Sequence, residues 1–306
     1  MKRTLSYCIS EMESGKKLAD FLRSKGCSRH ILTHLKRTEC GICVNGERAY
    51  TSYVLRTGDV VDIHIVEEIS SENIVPVNLP FPIIYEDEDL MIINKPADMP
   101  IHPSIHNFEN TLANAAAWYF AGQDEPFVYR CINRLDRDTT GLLILAKNML
   151  SGAILSQMSA GRQIHRQYLA VTEGCIPLEG TVDAPITRKE GSAIERCVDF
   201  TSGEKAVTHY RRLSFDGMYS LVLLKLETGR THQIRVHMKY IGHPLPGDYL
   251  YNPDFKLIKR QALHSYRLTF DHPISGKPMK FTAPVPEDFK IFECGCAEPH
   301  QYEDNG

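Results

Sequence analysis

The stretch Asn133-Arg134-Leu135-Asp136-Arg137-Asp138-Thr139-Thr140-Gly141 sets a carboxylate between two arginines, directly ahead of the apolar run Leu142-Leu143-Ile144-Leu145-Ala146. A carboxylate on a loop that leads into a buried strand is held by the strand yet stays open to a substrate. A cation within about 4–6 Å favours the charged form of such a group. Asp136 is therefore a candidate for nucleophilic or acid–base chemistry. A surface loop of ion pairs would have the same composition, so this motif alone suggests chemistry without deciding it. Asp138 invites a paired-carboxylate reading of the glycosidase kind, but the chain's other motifs have no place in that account.

A second stretch, Glu227-Thr228-Gly229-Arg230-Thr231-His232-Gln233-Ile234-Arg235-Val236-His237-Met238, follows the apolar segment Leu221–Leu226. Thr231 is expected to cap a helix that packs Ile234, Met238 and Ile241 and stops near Gly242. Helical spacing then puts His232, Arg235 and Lys239 on one face. A row of cations needs anions opposite it, and phosphate and Asp136 are the two candidates. Arg230 reads as a structural or phosphate contact. Cys27-x2-His30 and Cys40-x2-Cys43 have spacings that zinc could use. His30, however, falls in a regular amphipathic helix, and Cys43 alternates between Ile42 and Val44 on what reads as a strand's outer face. His232, His237 and His243 form no convincing ligand set, so no metal is expected.

The elements that must position these residues are of mixed α+β type. Leu18, Phe21 and Leu22 share a helical face that Gly26 can end, and Ser28 can cap a second helix carrying Ile31, Leu32 and Leu35. Ile42–Arg48 reads as a hairpin about Asn45-Gly46, and Val61, Ile63 and Ile65 alternate with polar residues as a half-buried strand does. From Ile83 strands mix with two clear helices, one after Asn110 with Leu112, Ala116 and Tyr119 on one face, the other from Met149 to Ala160. The layout gives a compact unit at 14–68, a polar linker at 69–80 holding Pro76 and Pro80, a larger unit at 81–292 and a tail at 293–306.

The chain of 306 residues carries a net charge of −3, which does not by itself suggest a nucleic-acid partner. Its charge is uneven. Residues 14–40 hold seven cations (Lys16, Lys17, Arg23, Lys25, Arg29, Lys36 and Arg37) against Asp20 and Glu39. On a helix–helix–hairpin layout this reads as a phosphate-contacting surface, with a solvated face as the plainer alternative. No run approaches the roughly 18 apolar residues of a membrane helix, and no apolar stretch follows the basic start, so neither a membrane span nor a secretory signal is expected. Nine cysteines, an odd and scattered number, do not read as a disulfide framework and point to a reducing, cytoplasmic compartment.

Taken together, several ordered motifs resemble the RluA-type RNA pseudouridine synthase family. They are Ile84-Tyr85-Glu86-Asp87 with Asn94-Lys95-Pro96, Arg134-Leu135-Asp136, Tyr168-Leu169-Ala170-Val171, Thr228–Arg235, Pro246-Gly247-Asp248 and Leu263-His264. Residues 14–68 resemble the S4 RNA-binding module that often precedes this catalytic domain. The resemblance implies a mixed, mainly antiparallel sheet and isomerisation of specific uridines, in ribosomal or alternatively transfer RNA, by a monomer that needs no cofactor. It assigns Asp136 as the essential carboxylate, Arg235 as its basic partner, Tyr168 as the tyrosine that stacks on the base, and Arg134 as the side chain filling the gap left by a flipped uridine. Arg230, His232, Lys16, Lys17, Arg29, Lys36 and Arg37 are the expected RNA contacts. Tyr168 could otherwise be an ordinary core residue of its apolar strand. The chain departs from the family at Asn133 (histidine is usual), Thr140 (serine), Asp98 (glycine), Arg166 (lysine) and Ala19 (aspartate), which bears on substrate choice more than on reactivity. A deaminase is the competing base-acting enzyme, and the chain lacks its H-x-E with P-C-x-x-C signature. A catalytically silent RNA-binding protein is the other competitor, and the presence of Asp136, Tyr168 and Arg235 argues against it.

Overall fold

A computed structural model describes residues 1–105 and 107–292, so the expected tail at 293–306 lies outside the described residues. The N-terminal unit is a four-stranded sheet backed by two helices. Its elements are β1 (Lys2–Cys8), α1 (Leu18–Ser24), α2 (Arg29–Arg37), β2 (Ile42–Val44), β3 (Glu47–Arg48) and β4 (Val60–Val66). The strand order is β1-β4-β2-β3. β1 pairs with β4 from Lys2 to Cys8, so the sheet starts ahead of the 14–68 span. The Ser28 hydroxyl accepts from the Ile31 amide and caps α2, whose buried Ile31, Leu32 and Leu35 face the sheet. Asn45 and Gly46, both at positive φ, make the hairpin turn. Ile42 and Val44 of β2 enter the core beneath the helices, while Cys43 pairs across the sheet with Arg48 and Asp62 on the outer face, as the alternation predicts, and is covered there to 5% exposure.

The larger unit is built on a nine-stranded sheet. Its elements run β5 (Ile83–Glu86), β6 (Leu90–Lys95), α3 (Leu112–Ala121), β7 (Thr140–Ala146), α4 (Met149–Ala160), β8 (His165–Glu173), β9 (Glu179–Asp183) and β10 (Ile186–Arg188). They continue with β11 (Arg196–Val198), β12 (Val207–Phe215), β13 (Tyr219–Leu226), α5 (Gln233–Tyr240), β14 (Leu263–Asp271) and β15 (Pro278–Thr282). The order is β5-β6-β7-β14-β8-β13-β12-β9, with β15 on β14 and β10–β11 a separate ribbon. All described pairings are antiparallel except β7 with β14, which meet at His264–Thr140 and Ser265–Gly141. This mixed, mainly antiparallel α+β architecture is the expected one.

That one parallel contact lies just behind the Asp136 loop, and a glycine makes it possible. Gly141 has φ +109°, and a Cβ there would stand 2.2 Å from the Ser265 carbonyl oxygen. Gly141→Ala combines a left-handed backbone with a backbone clash, so a loss of about 4 kcal/mol is expected. A thermal midpoint within a degree of wild type would refute this close approach.

The two units share packing. The N-terminal core includes Leu150 of α4, and Met149, Ala153 and Ile154 lean against it. Arg3 of β1 clasps Asp89 with two hydrogen bonds, from Nε at 3.0 Å and Nη2 at 2.9 Å. The 69–80 stretch is also tied down: Ser70 and Ser71 accept from the amides of Phe127 and Tyr129, and the Asn114 side chain donates to the Val75 carbonyl. No helix among the described residues is long and apolar enough to cross a membrane.

Candidate active site

Asp136 begins a tight turn closed by the Thr139 amide on its carbonyl, between the core residue Leu135 and β7. Its neighbour Lys95, at the end of β6, is fully buried, and its Nζ donates to the carbonyls of Pro96 (2.7 Å), Met99 (3.0 Å) and Arg137 (2.7 Å). Three N–H groups thus meet three carbonyls and tie the Asp136 loop to the sheet. Burial drives the Lys95 ammonium down to about 7, from an ordinary 10.5, although Asp138 and Asp136 oppose this. The unfolded chain then binds more protons between pH 7 and 10.5, so the Lys95 contribution to stability rises with pH across that window. Below about 7 the folded protein bears the full cost of the buried charge. Lys95→Met is expected to flatten the pH dependence of the urea midpoint between 7 and 10. It should also lower stability by about 3 kcal/mol, since carbonyls lose their donors. An unaltered pH profile would refute this role.

Arg235 comes from α5, 99 residues away in sequence, and its Nη1 donates to Asp136 Oδ2 at 2.8 Å. The other side of the guanidinium is held by Asp248, with Nε–Oδ2 2.7 Å and Nη2–Oδ1 2.8 Å. Arg235 is 1% exposed and Asp248 is fully buried, whereas 27% of the Asp136 side chain is open to solvent. Burial opposes the Arg235 charge, but the Asp248 hydrogen bonds and both carboxylates outweigh it and hold the group above its ordinary value. Tyr249 and Tyr251 stack on the guanidinium at 5.5 and 5.0 Å. One arginine therefore spans a buried carboxylate and a reachable one, a geometry that fixes Asp136 while leaving it free edges for a substrate.

α5 starts differently from the expectation. Thr231 does not cap it; the cap position is His232 at φ +57°, and the Gln233 side chain instead accepts from the Arg230 amide (3.0 Å) and the Thr228 hydroxyl (2.8 Å). The same Gln233 donates to the Val207 carbonyl and Thr208 Oγ1, which pins the helix start to β12. The expected shared face of His232, Arg235 and Lys239 is present, and all three flank the Tyr251 ring. His232 lies 3.9 Å from Asp136, and burial lowers its pKa against the pull of that carboxylate, which favours the neutral imidazole.

Tyr168 on β8 is 5% exposed and belongs to the central core, with part of its ring in the wall of the cavity beside Asp136. Burial pushes its phenol up, and the Arg166 guanidinium beside it pulls partly the other way. Arg134 is exposed at the rim. Arg230 is exposed but occupied: it pairs with Glu204 and donates to the Lys205 carbonyl. Asp136, Arg134, Arg230, His232 and Arg235 line both a small cavity of about 60 Å³ and the open cleft of about 570 Å³ in front of it. The larger volume is in the range of small-ligand sites. Lys16, Lys17, Arg29, Lys36 and Arg37 are exposed on the N-terminal unit, outside this cleft, and no carboxylate pairs with them among the described residues.

The departures are locally accommodated. Asn133 is buried, and its Oδ1 accepts from the Ile144 amide at 2.9 Å. Thr140 Oγ1 meets His264 Nδ1 at 2.7 Å. Asp98 has φ +54°, a conformation that glycine adopts freely. Asp248, Tyr249, Tyr251 and the Lys95 anchor were not picked out as site residues from the sequence. A buried arginine at Arg235 would have asked for a second carboxylate, but nothing in the spacing identifies Asp248 as the one. Among the described residues, one group could offer metal ligands, Asp87, Asp89 and His272, and its carboxylates already hold Tyr85, Arg3 and Asn148.

Residues 89–240 match the family model described as RNA pseudouridylate synthase. The chain is 41% identical over 264 residues to the uncharacterized RNA pseudouridine synthase YjbO of Bacillus subtilis, covering 86% of this chain and 93% of that protein. It is 38% identical over 263 residues to the ribosomal large subunit pseudouridine synthase D of Xanthomonas campestris, covering 81% and 78%. The structure resembles human RNA pseudouridylate synthase domain containing 1 with a TM-score of 0.57 at 27% identity, over 68% of this chain and 84% of that one.

Proposed function

The chain belongs to the RluA-type RNA pseudouridine synthase family, and on that premise we propose that it isomerises specific uridines of ribosomal RNA with Asp136 as the reacting carboxylate. The observation that carries the role of Asp136 is its fixed and half-open geometry: one oxygen is held by Arg235 while the rest faces the 570 Å³ cleft. The name of the Xanthomonas relative favours ribosomal over transfer RNA as the substrate.

In this reading the target uridine leaves its stack, at a cost of a few kcal/mol, and Arg134 at the rim fills the space it vacates. The sugar meets Asp136, which acts either as nucleophile at C1′ or as base at C2′. Each route needs an ionised carboxylate beside the sugar, and Arg235 supplies the counter-charge. The N1–C1′ bond breaks, the uracil turns, C5 bonds to C1′, the C5 proton leaves to solvent and N1 takes one up in its place. Tyr168 lines the pocket against the base and is placed to assist that last step. Arg230 and His232 hold the rim, where Arg230 would exchange Glu204 for phosphate. No electrons or groups are transferred to another molecule, so the chemistry calls for no cofactor.

The 14–68 unit we read as an S4-like RNA-binding module, with 69–80 as the connection to the catalytic unit of a monomeric, cytoplasmic enzyme. The exposed Lys16, Lys17, Arg29, Lys36 and Arg37, which have no carboxylate partner among the described residues, support this. Changing Lys16, Lys17, Lys36 and Arg37 to Gln is expected to weaken RNA binding and flatten its salt dependence by ~0.7 per lost phosphate contact. An unchanged slope would make that face ordinary solvated charge. The activity itself is tested with unmodified large-subunit ribosomal RNA carrying tritium at uridine C5. Release of label by the wild-type protein is expected, and none from that RNA would overturn the substrate assignment.

A further inference from the structure

Beside the catalytic cleft runs a second groove, of about 500 Å³, between the end of α4, the start of β8 and the end of β13. Its lining joins that of the catalytic cleft at Gly229 and Arg230. The walls carry Arg162, His165, Arg166, Lys225 and Arg230, against one carboxylate, Glu227. Glu227 pairs with His209 at 2.8 Å and more loosely with Arg162 at 3.9 Å, and Arg230 pairs with Glu204, so cations still outnumber carboxylates along the groove. Arg162 is 64% exposed, and Lys225 is exposed with no carboxylate partner among the described residues. In a protein of net charge −3, such a predominantly basic groove adjoining the catalytic cleft needs a reason.

The groove also leads somewhere. Ser159, Ala160, Arg162 and Ile164 line it, while Gln157, Met158 and Gln163 of the same turn line a cleft of about 380 Å³ on the other side. That cleft is closed by Ser24, Lys25 and Gly26 at the end of α1. The docking of the N-terminal unit on α4 fixes this arrangement. A Cβ on Gly26 would stand 2.5 Å from the Ile154 side chain, so the two units touch at that point beside the cleft. From Asp136 the groove thus leads to the end of α4, and the cleft on the far side of that turn reaches the N-terminal unit at Ser24–Gly26.

We propose that this groove binds the single-stranded RNA adjoining the target uridine through its phosphodiesters, with Arg162 and Lys225 as contacts, and directs it toward the N-terminal unit. Phosphate is the ligand that a row of exposed cations of this kind selects without regard to base. The proposal rests on the reading of the chain as an RNA-modifying enzyme and adds the path of the strand. Arg166 belongs to the same wall but stands beside Tyr168, so it is left out of the test.

The experiment compares wild type with Arg162→Gln/Lys225→Gln and with Arg162→Lys/Lys225→Arg. Binding to a 20-nucleotide oligouridylate is measured as a function of salt, and tritium release from unmodified large-subunit ribosomal RNA gives KM and kcat. The neutral variant is expected to show a salt slope shallower by about 1.4, which is two lost contacts. Its KM should rise on the order of tenfold at constant kcat, the sign of lost uniform binding. The charge-keeping variant should match wild type in both, and thermal midpoints should agree because both side chains are exposed. An unchanged oligouridylate slope in the neutral variant overturns the groove. Absence of release by wild type strikes at the substrate reading instead, and the oligouridylate slope still decides the groove on its own.

Discussion

With RNA tritiated at uridine C5, Asp136→Asn is expected to release label at least about 10³-fold more slowly than wild type, a rise of roughly 4 kcal/mol in the barrier. RNA affinity should stay within a few-fold. The substitution keeps size and shape, so the cleft and its cations remain to hold RNA. What it removes is the negative charge, which both nucleophilic attack at C1′ and proton removal at C2′ require. Arg235 Nη1 can still donate to the amide oxygen, which limits the structural consequence. Melting the variant beside wild type checks that the loss is chemical. Undiminished release by Asp136→Asn would sink the assignment of this carboxylate.

Asp248→Ala is expected to destabilise the protein by about 3–5 kcal/mol, because it leaves the Arg235 charge buried with half of its partners gone. For a chain of this size that corresponds to a fall of roughly 10 °C in melting temperature. Activity should also drop, since Arg235 loses the two hydrogen bonds that aim it at Asp136. The informative companion is Arg235→Met with Asp248→Leu. Replacing a buried ion pair by apolar groups of similar size is often neutral for stability, so most of the lost stability should return. Catalysis should not return, because Asp136 then faces the cleft without its counter-charge. A melting temperature for Asp248→Ala equal to wild type would show that the pair does not hold the site, and an active double variant would show that Asp136 does not need it.

Much of this could be read along the chain, for reasons that are local. Ser28 caps α2, Asn45-Gly46 turns a hairpin, and Met149–Ala160 forms a helix because each depends on residues within a turn or two of one another. Asp136 is noticeable in the sequence because its charged loop abuts an apolar strand. Even the common face of His232, Arg235 and Lys239 follows from helical spacing. Local reasoning failed at the start of α5, where the cap position is His232 at positive φ with no side-chain cap, not Thr231. Alternation along β2 did hold, with Ile42 and Val44 in the core and Cys43 on the other face beside Arg48 and Asp62.

The sequence by itself determined which groups are present to react and, through its ordered motifs, the family and the reaction class. Only the tertiary structure decided how those groups are held: Arg235 against Asp136 across 99 residues, Asp248 behind Arg235, Lys95 among three carbonyls, and the N-terminal unit against α4. The physical reason is that an ion pair or a buried amine is stable only where burial and partners coincide in space. That coincidence depends on the packing of strands far apart in the chain. Asp136 can be found from its neighbours in sequence, but its fixed and half-open carboxylate exists only in the fold.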